Sequence, residues 1–149
     1  MLLFSNILIC LCSRSLKELK PERTRFLFIP NSLVPLVFMK SQIVVLPYVQ
    51  ATQSGIVPLA FTFGKPVIAT NVGSIPEVVI DNYNGLIIPP GDSESLANSI
   101  ISLLNDSKLI RYLGSNAKKT SETLLSWEKI AEKTEEVYKS CLINKGILW

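Results

Sequence analysis

Residues 46–79 read LPYVQATQSGIVPLAFTFGKPVIATNVGSIPEVV. Two short apolar runs, at 43–46 and 67–69, flank a polar turn, Thr52-Gln53-Ser54-Gly55, and a longer apolar segment. That segment is too long for another strand, so the order is strand, turn, helix, strand, the unit of a parallel α/β sheet. In such sheets ligands bind beyond the carboxyl ends of the strands, where the chain turns into a helix. The turn at 52–55 is therefore the first candidate for chemistry.

The residue types in this turn suit an anion. Ser54 or Thr52 can accept a hydrogen bond from a backbone N–H at a helix start. Gly55 carries no Cβ, so a ligand can approach the main chain closely. Pro58 fits a first helical turn, where its missing N–H costs nothing. Free N–H groups from Gln53 to Ile56, together with the helix dipole, then favour a phosphate. The same residues also make an ordinary helix cap with no ligand, and the pattern alone does not separate the two.

Composition narrows the class. A chain of 149 residues suits one domain. Its 48% hydrophobic content and mean hydropathy of +0.34 argue against disorder and fit a sheet covered on both faces. The net charge of +3 comes without a sustained Lys/Arg run, so nucleic acid is not an expected partner. Residues 1–90 hold seven Lys/Arg against four Asp/Glu, while residues 91–149 hold eight of each. The excess sits at Arg14, Lys17, Lys20, Arg23 and Arg25, which read as a solvated helix face or, alternatively, a peripheral membrane patch. Cys10, Cys12 and Cys141 form no disulfide framework and read as reduced, mostly buried thiols of a cytoplasmic protein. There is no histidine, which removes Ser-His-Asp and Cys-His chemistry and leaves a zinc site short of ligands.

Residues 1–12 are apolar but too short to span a bilayer, and read as a strand rather than a signal peptide. Residues 26–29 read as a short strand, with Asn31 or Ser32 capping a helix toward Met39. Tyr48 either covers the end of the strand before it or lines the pocket there. Gly64 fits a helix C-terminal cap, with Lys65 beside that helix end. Ser74 to Glu77 opens a short helix. Glu77 suits its first turn electrostatically, a catalytic acid being the alternative. Residues 81–85 form a tight turn in which Asn-Gly supplies positive φ. Residues 86–88 are the last buried strand. Asp92 caps a helix with Leu96, Ile100, Leu103 and Leu104 on one face. Asp106 or Ser107 starts the next, with Leu109, Leu113 and Ala117 inward. Ser126 caps the final helix, for which Ile130, Thr134, Val137 and Cys141 predict a narrow buried stripe.

The string GKPVIATNVGSIPEVV, followed by NGLIIPPGD, resembles the C-terminal, donor-binding domain of family 4 glycosyltransferases with the GT-B fold. Members typically read G-K-P-V-[IV]-A-[ST]-x-V-G-G-[IL]-P-E-[VL]-V and then N-G-[LF]-L-V-P-P-G-D. The resemblance covers residues 25–142, with a poorly matched start at 1–24. It implies one α/β domain, Rossmann-like and three-layered, with a mostly parallel sheet. It also implies a nucleotide-activated sugar as donor, retention of configuration, no cofactor and no obligatory metal. The donor would meet Thr52, Gln53, Ser54, Gly55 and Ile56; no catalytic residue is assigned. The acceptor would be a glycan or a lipid-linked sugar at the inner membrane face. An N-terminal acceptor domain or a separate subunit would complete the enzyme.

One departure matters. The family usually carries Glu-x7-Glu just ahead of the Gly-Lys-Pro segment, the second Glu for the donor ribose. Ala51 and Leu59 occupy those places here. The chain is thus expected to be part of a glycosyltransferase. The alternatives are a non-catalytic nucleotide-sugar-binding module or an epimerase-like domain, the last disfavoured by the absence of His and of a clear carboxylate pair in the core stretch.

Overall fold

A computed structural model describes residues 30–144. The expected strands at 1–12 and 26–29, Cys10, Cys12 and the basic segment at 14–25 lie outside the described residues. After a 3-10 turn at Asn31–Leu33 come α1 (Val34–Lys40), β1 (Val44–Leu46), α2 (Ile56–Thr62), β2 (Val67–Thr70), α3 (Ile75–Val78) and β3 (Gly85–Ile88). Three longer helices follow, α4 (Ser93–Asn105), α5 (Ser107–Thr123) and α6 (Trp127–Asn144). The strands pair in parallel in the order β1-β2-β3, with Val44 opposite Val67 and Val67 opposite Gly85.

Side chains alternate across the sheet, and both faces are covered. Val44, Leu46, Val67 and Ala69 pack with Phe38, Ile56, Val57, Ala60 and Phe61 on one side. Ile43, Val45, Ile68 and Ile88 pack with Leu103 and Leu113 on the other. A strand with no wet face reads as an unbroken apolar run, which is why periodicity in 43–46 and 67–69 is absent. The result is the expected three-layer α/β arrangement.

The joints explain the register. Gly64, at φ +61°, ends α2: its N–H donates to Phe61 O, and the Lys65 N–H donates to Ala60 O, both at 2.9 Å. This pair of bonds is a Schellman ending. Lys65 does not serve that helix end with its side chain. Its ammonium donates instead to Met39 O in the last turn of α1, at 3.4 Å, and burial pushes its pKa below the usual lysine value. Lys118 of α5 donates to Thr62 O at 2.9 Å and takes the role at the end of α2. Asp92 Oδ1 accepts from the Ser95 N–H at 2.9 Å, Asp106 from the N–H groups of Lys108 and Leu109, and Ser126 Oγ from the Lys129 N–H, so all three expected caps form. Asn31 and Ser32 make no cap; the 3-10 turn there carries no side-chain cap bond.

Two further expectations are corrected. In the turn before β3 the positive φ belongs to Asn82 (57°), not to the Asn84-Gly85 pair. Gly85 is needed for space, since a Cβ there would lie 2.3 Å from Val67 O on the paired strand. The predicted stripe of α6 is not buried: Ile130, Val137 and Cys141 are exposed, as are Tyr138 and Ile143. A 3.6-residue period shows that a helix has an apolar face, not that the described residues supply a surface for it. Among the described residues no helix is long and apolar enough to cross a membrane.

Candidate functional site

Because the strands are parallel, the segments after β1 and β2 leave the same end of the sheet. Tyr48 ties them together. Its N–H donates to Leu46 O at 2.9 Å, and its own carbonyl accepts from Thr70 Oγ1, at the end of β2, at 2.7 Å. Its ring packs against the core, while its hydroxyl is hydrogen-bonded to Ser54 Oγ at 3.0 Å. Tyr48 therefore covers the strand end and reaches the loop as well. Ser54 Oγ also accepts from the Ile56 N–H at 3.3 Å, a local bond across two residues. The N-cap of α2 is Gly55, with no side-chain cap bond, so neither Ser54 nor Thr52 takes the expected cap position.

The second tie is between the two loops. Gly73, at φ +53°, lets residues 72–74 press onto residues 51–52; a Cβ at Gly73 would stand 2.1 Å from Ala51 O and 2.6 Å from Thr52 O. The Thr52 carbonyl accepts from the Ser74 N–H at 2.9 Å and from Ser74 Oγ at 2.8 Å. Thr70 and Ser74 were not among the sequence candidates. The available signal was topological: both lie at the carboxyl end of the strand next to β1.

The five expected residues lie together at this end of the sheet. Thr52, Gln53 and Gly55 are exposed and Ser54 is half-buried. Ile56 is different: its side chain is buried in the core, so only its main chain faces the loop. The backbone N–H groups of Gln53, Ser54 and Gly55 donate to no group among the described residues. Three adjacent free donors suit an anion. With α2 only seven residues long, its dipole is a minor addition to these local donors.

Gly55 has ordinary backbone geometry, φ −70°, and nothing lies within 4 Å of a Cβ built on it. Gly55 is the N-cap of α2, a place that glycine suits, but neither its φ nor a neighbouring atom requires glycine there. By contrast, Gly64, Gly73 and Gly91 have positive φ, and Gly85 and Gly114 meet backbone atoms closely. Ala51 and Leu59 are both half-buried and pack against the core around α2. Glu77 is exposed in the first turn of α3. Residues 47–55 and 71–74 contain no charged side chain, so these two loops offer neutral donors and hydroxyls. Among the described residues no three His, Cys, Asp or Glu side chains gather to hold a metal ion.

The model of the family "glycosyl transferases group 1" matches residues 10–120. The chain belongs to this family. A glycosyltransferase of Methanocaldococcus jannaschii, itself uncharacterized, is 32% identical over 120 residues, which is 80% of this chain and 30% of that protein. Among solved structures, sucrose-phosphate synthase of Thermosynechococcus elongatus matches with a TM-score of 0.70 and 29% identity, over 78% of this chain and 29% of that one. HepE of Anabaena, solved with UDP-glucose, matches with a TM-score of 0.66 and 25% identity, over 72% of this chain and 30% of that one. The fold resembles the C-terminal half of the GT-B glycosyltransferase fold. This group 1 chain spans less than a third of the length of the curated relatives it matches.

Proposed function

We propose that this chain binds a nucleotide-activated sugar at the Thr52–Ile56 loop and forms the donor half of a retaining glycosyltransferase. The observation that carries the reading is Gly55, a glycine that neither its φ nor a close neighbour requires, beside three N–H groups with no acceptor among the described residues at the carboxyl end of β1. An absent side chain at an exposed loop is explained by something that must come close to the main chain. The UDP-glucose bound by HepE supports a sugar nucleotide as that ligand.

In the proposed transfer, the bond from the anomeric carbon to the leaving diphosphate oxygen breaks. A bond from an acceptor hydroxyl oxygen to that carbon forms on the same face of the sugar, and the hydroxyl proton passes to the departing diphosphate oxygen. Negative charge grows on the diphosphate as it leaves, and the N–H groups of Gln53, Ser54 and Gly55 stabilise it. The Gln53 side chain and the Ser54 hydroxyl orient sugar hydroxyls or phosphate oxygens. The acceptor, a glycan or lipid-linked sugar, is held by an acceptor domain or a separate subunit.

Calorimetric titration with UDP, GDP and ADP tests the donor reading. Saturable binding of at least one is expected, and Gly55→Val should abolish it by filling the space the phosphate needs. The helix start should lose about 1 kcal/mol or less from that change. Binding of none of the three, or equal binding by Gly55→Val, would overturn the reading.

Ala51 and Leu59 favour a second reading, a non-catalytic nucleotide-sugar module, because both side chains pack on the core and neither can hold a hydroxyl. Supplying an acceptor domain in trans separates the two: turnover supports the enzyme, and binding without turnover supports the module.

A further inference from the structure

We propose that Ser74 is the positioning residue of this site: it fixes the Thr52–Gln53 peptide so that the Gln53 N–H faces the open side of the loop. The inference rests on the donor reading above and goes one step further, from where the ligand binds to what keeps the loop ready for it.

Ser74 stands at the N-cap of α3, where a serine ordinarily accepts a hydrogen bond from the helix it precedes. It makes no such bond. Its hydroxyl is turned the other way and donates to Thr52 O at 2.8 Å, beside the Ser74 N–H at 2.9 Å. Both lone pairs of the Thr52 carbonyl are thereby used by one residue. The 52–53 peptide is trans, since none of the described bonds is cis. In a planar trans peptide the N–H points opposite to the C=O. A Thr52 carbonyl held toward Ser74 therefore turns the Gln53 N–H away from it. Rotation of the same peptide would present the carbonyl oxygen to the anion in place of the donor, replacing attraction by repulsion. Gly73 makes the clamp possible by allowing the loops to touch, and Tyr48 holds the far side of the loop through Ser54.

The test uses the full chain, with UDP as probe and Ser74→Ala, Ser74→Gly and Ser74→Thr as variants. Loss of one neutral hydrogen bond that biases the loop should weaken UDP binding about two- to tenfold, because affinity falls with the fraction of competent loop. Ser74→Thr keeps the hydroxyl and should bind within about twofold of the parent. The Gln53 amide resonance of the free protein should move in Ser74→Ala and Ser74→Gly. A purely structural serine would lower the urea midpoint without touching affinity. If the parent binds UDP and Ser74→Ala binds it equally, with the Gln53 amide unmoved, the role of Ser74 is overturned while the donor reading stands. If the parent binds no UDP, GDP or ADP, the donor reading falls and this inference with it.

Discussion

Asn84 is fully buried, and its amide is fully used. Oδ1 accepts from the Ile80 N–H at 2.7 Å, and Nδ2 donates to Val78 O at 3.0 Å and Thr120 Oγ1 at 3.2 Å. Asn84→Ala leaves the Ile80 N–H and the Val78 carbonyl without these partners, at about 1–3 kcal/mol for each group that water cannot reach. A fall of about 2–4 kcal/mol in unfolding free energy is expected from urea titration. Asn82→Gly should stay within about 1 kcal/mol of the parent, since glycine accepts φ +57° readily. An Asn-Gly turn was legible in the sequence, but its division of labour was not. Which residue takes the left-handed geometry depends on Gly85 being pressed against Val67 O, a contact made across the sheet. Asp92 gives a pH prediction. Its hydrogen bonds from the Ser95 side chain and backbone hold its carboxyl below the usual aspartate range. A depressed folded pKa adds stability above the unfolded value of about 3.9 and loses it as pH falls through the folded value. Asp92→Asn should therefore lower the neutral plateau of the stability curve and flatten its acid limb below about pH 4, where the two proteins converge.

Gly114 decides how closely α5 meets the end of α2. A Cβ at Gly114 would lie 2.5 Å from Gly64 O, a backbone atom that cannot step aside. Alanine normally gains about 1 kcal/mol over glycine inside a helix. Here the overlap should outweigh that gain, and Gly114→Ala is expected to destabilise by about 1–3 kcal/mol. Ser115→Ala, one residue on and exposed, should gain a few tenths of a kcal/mol, and thermal unfolding of the two variants shows the contrast. At this scale the local signals read well. Asp92, Asp106 and Ser126 announce helix starts because a cap lies within three residues of its partner. Lys65 misled because the carbonyl it finds belongs to α1, while Lys118, far along the chain, serves α2. The loop at 52–56 was legible from strand, turn and helix order. Ser74 was not, because its bond to Thr52 exists only once β1 and β2 are side by side.

At the scale of the molecule, α6 stands apart from the packed layers formed by the other described residues. Its Ile130, Val137, Tyr138 and Ile143 are exposed, whereas Leu113, Gly114 and Ala117 of α5 are buried. Backbone amides of α6 should exchange with solvent through local opening, well before those of α5 around Leu113 and Ala117. Equal protection of the two helices would mean that α6 shares the core. The chain also spans less than a third of its curated relatives, and glycosyl transfer requires donor and acceptor held together, a contribution of roughly 7–11 kcal/mol to the barrier. The 149-residue chain alone is therefore expected to show no multiple turnover with nucleotide sugars and glycan or lipid-linked acceptors. Donor binding itself is more local: the loop after β1 is proposed to receive a nucleotide diphosphate. Mapping backbone amide shifts during titration with UDP, GDP and ADP addresses it most directly. The account predicts that for the nucleotide that binds, the largest changes fall at Gln53, Ser54, Gly55 and Ile56, with a smaller one at Ser74. Shifts confined to α6 or to the Gly64–Lys118 end of the sheet, with the loop unmoved, would contradict it.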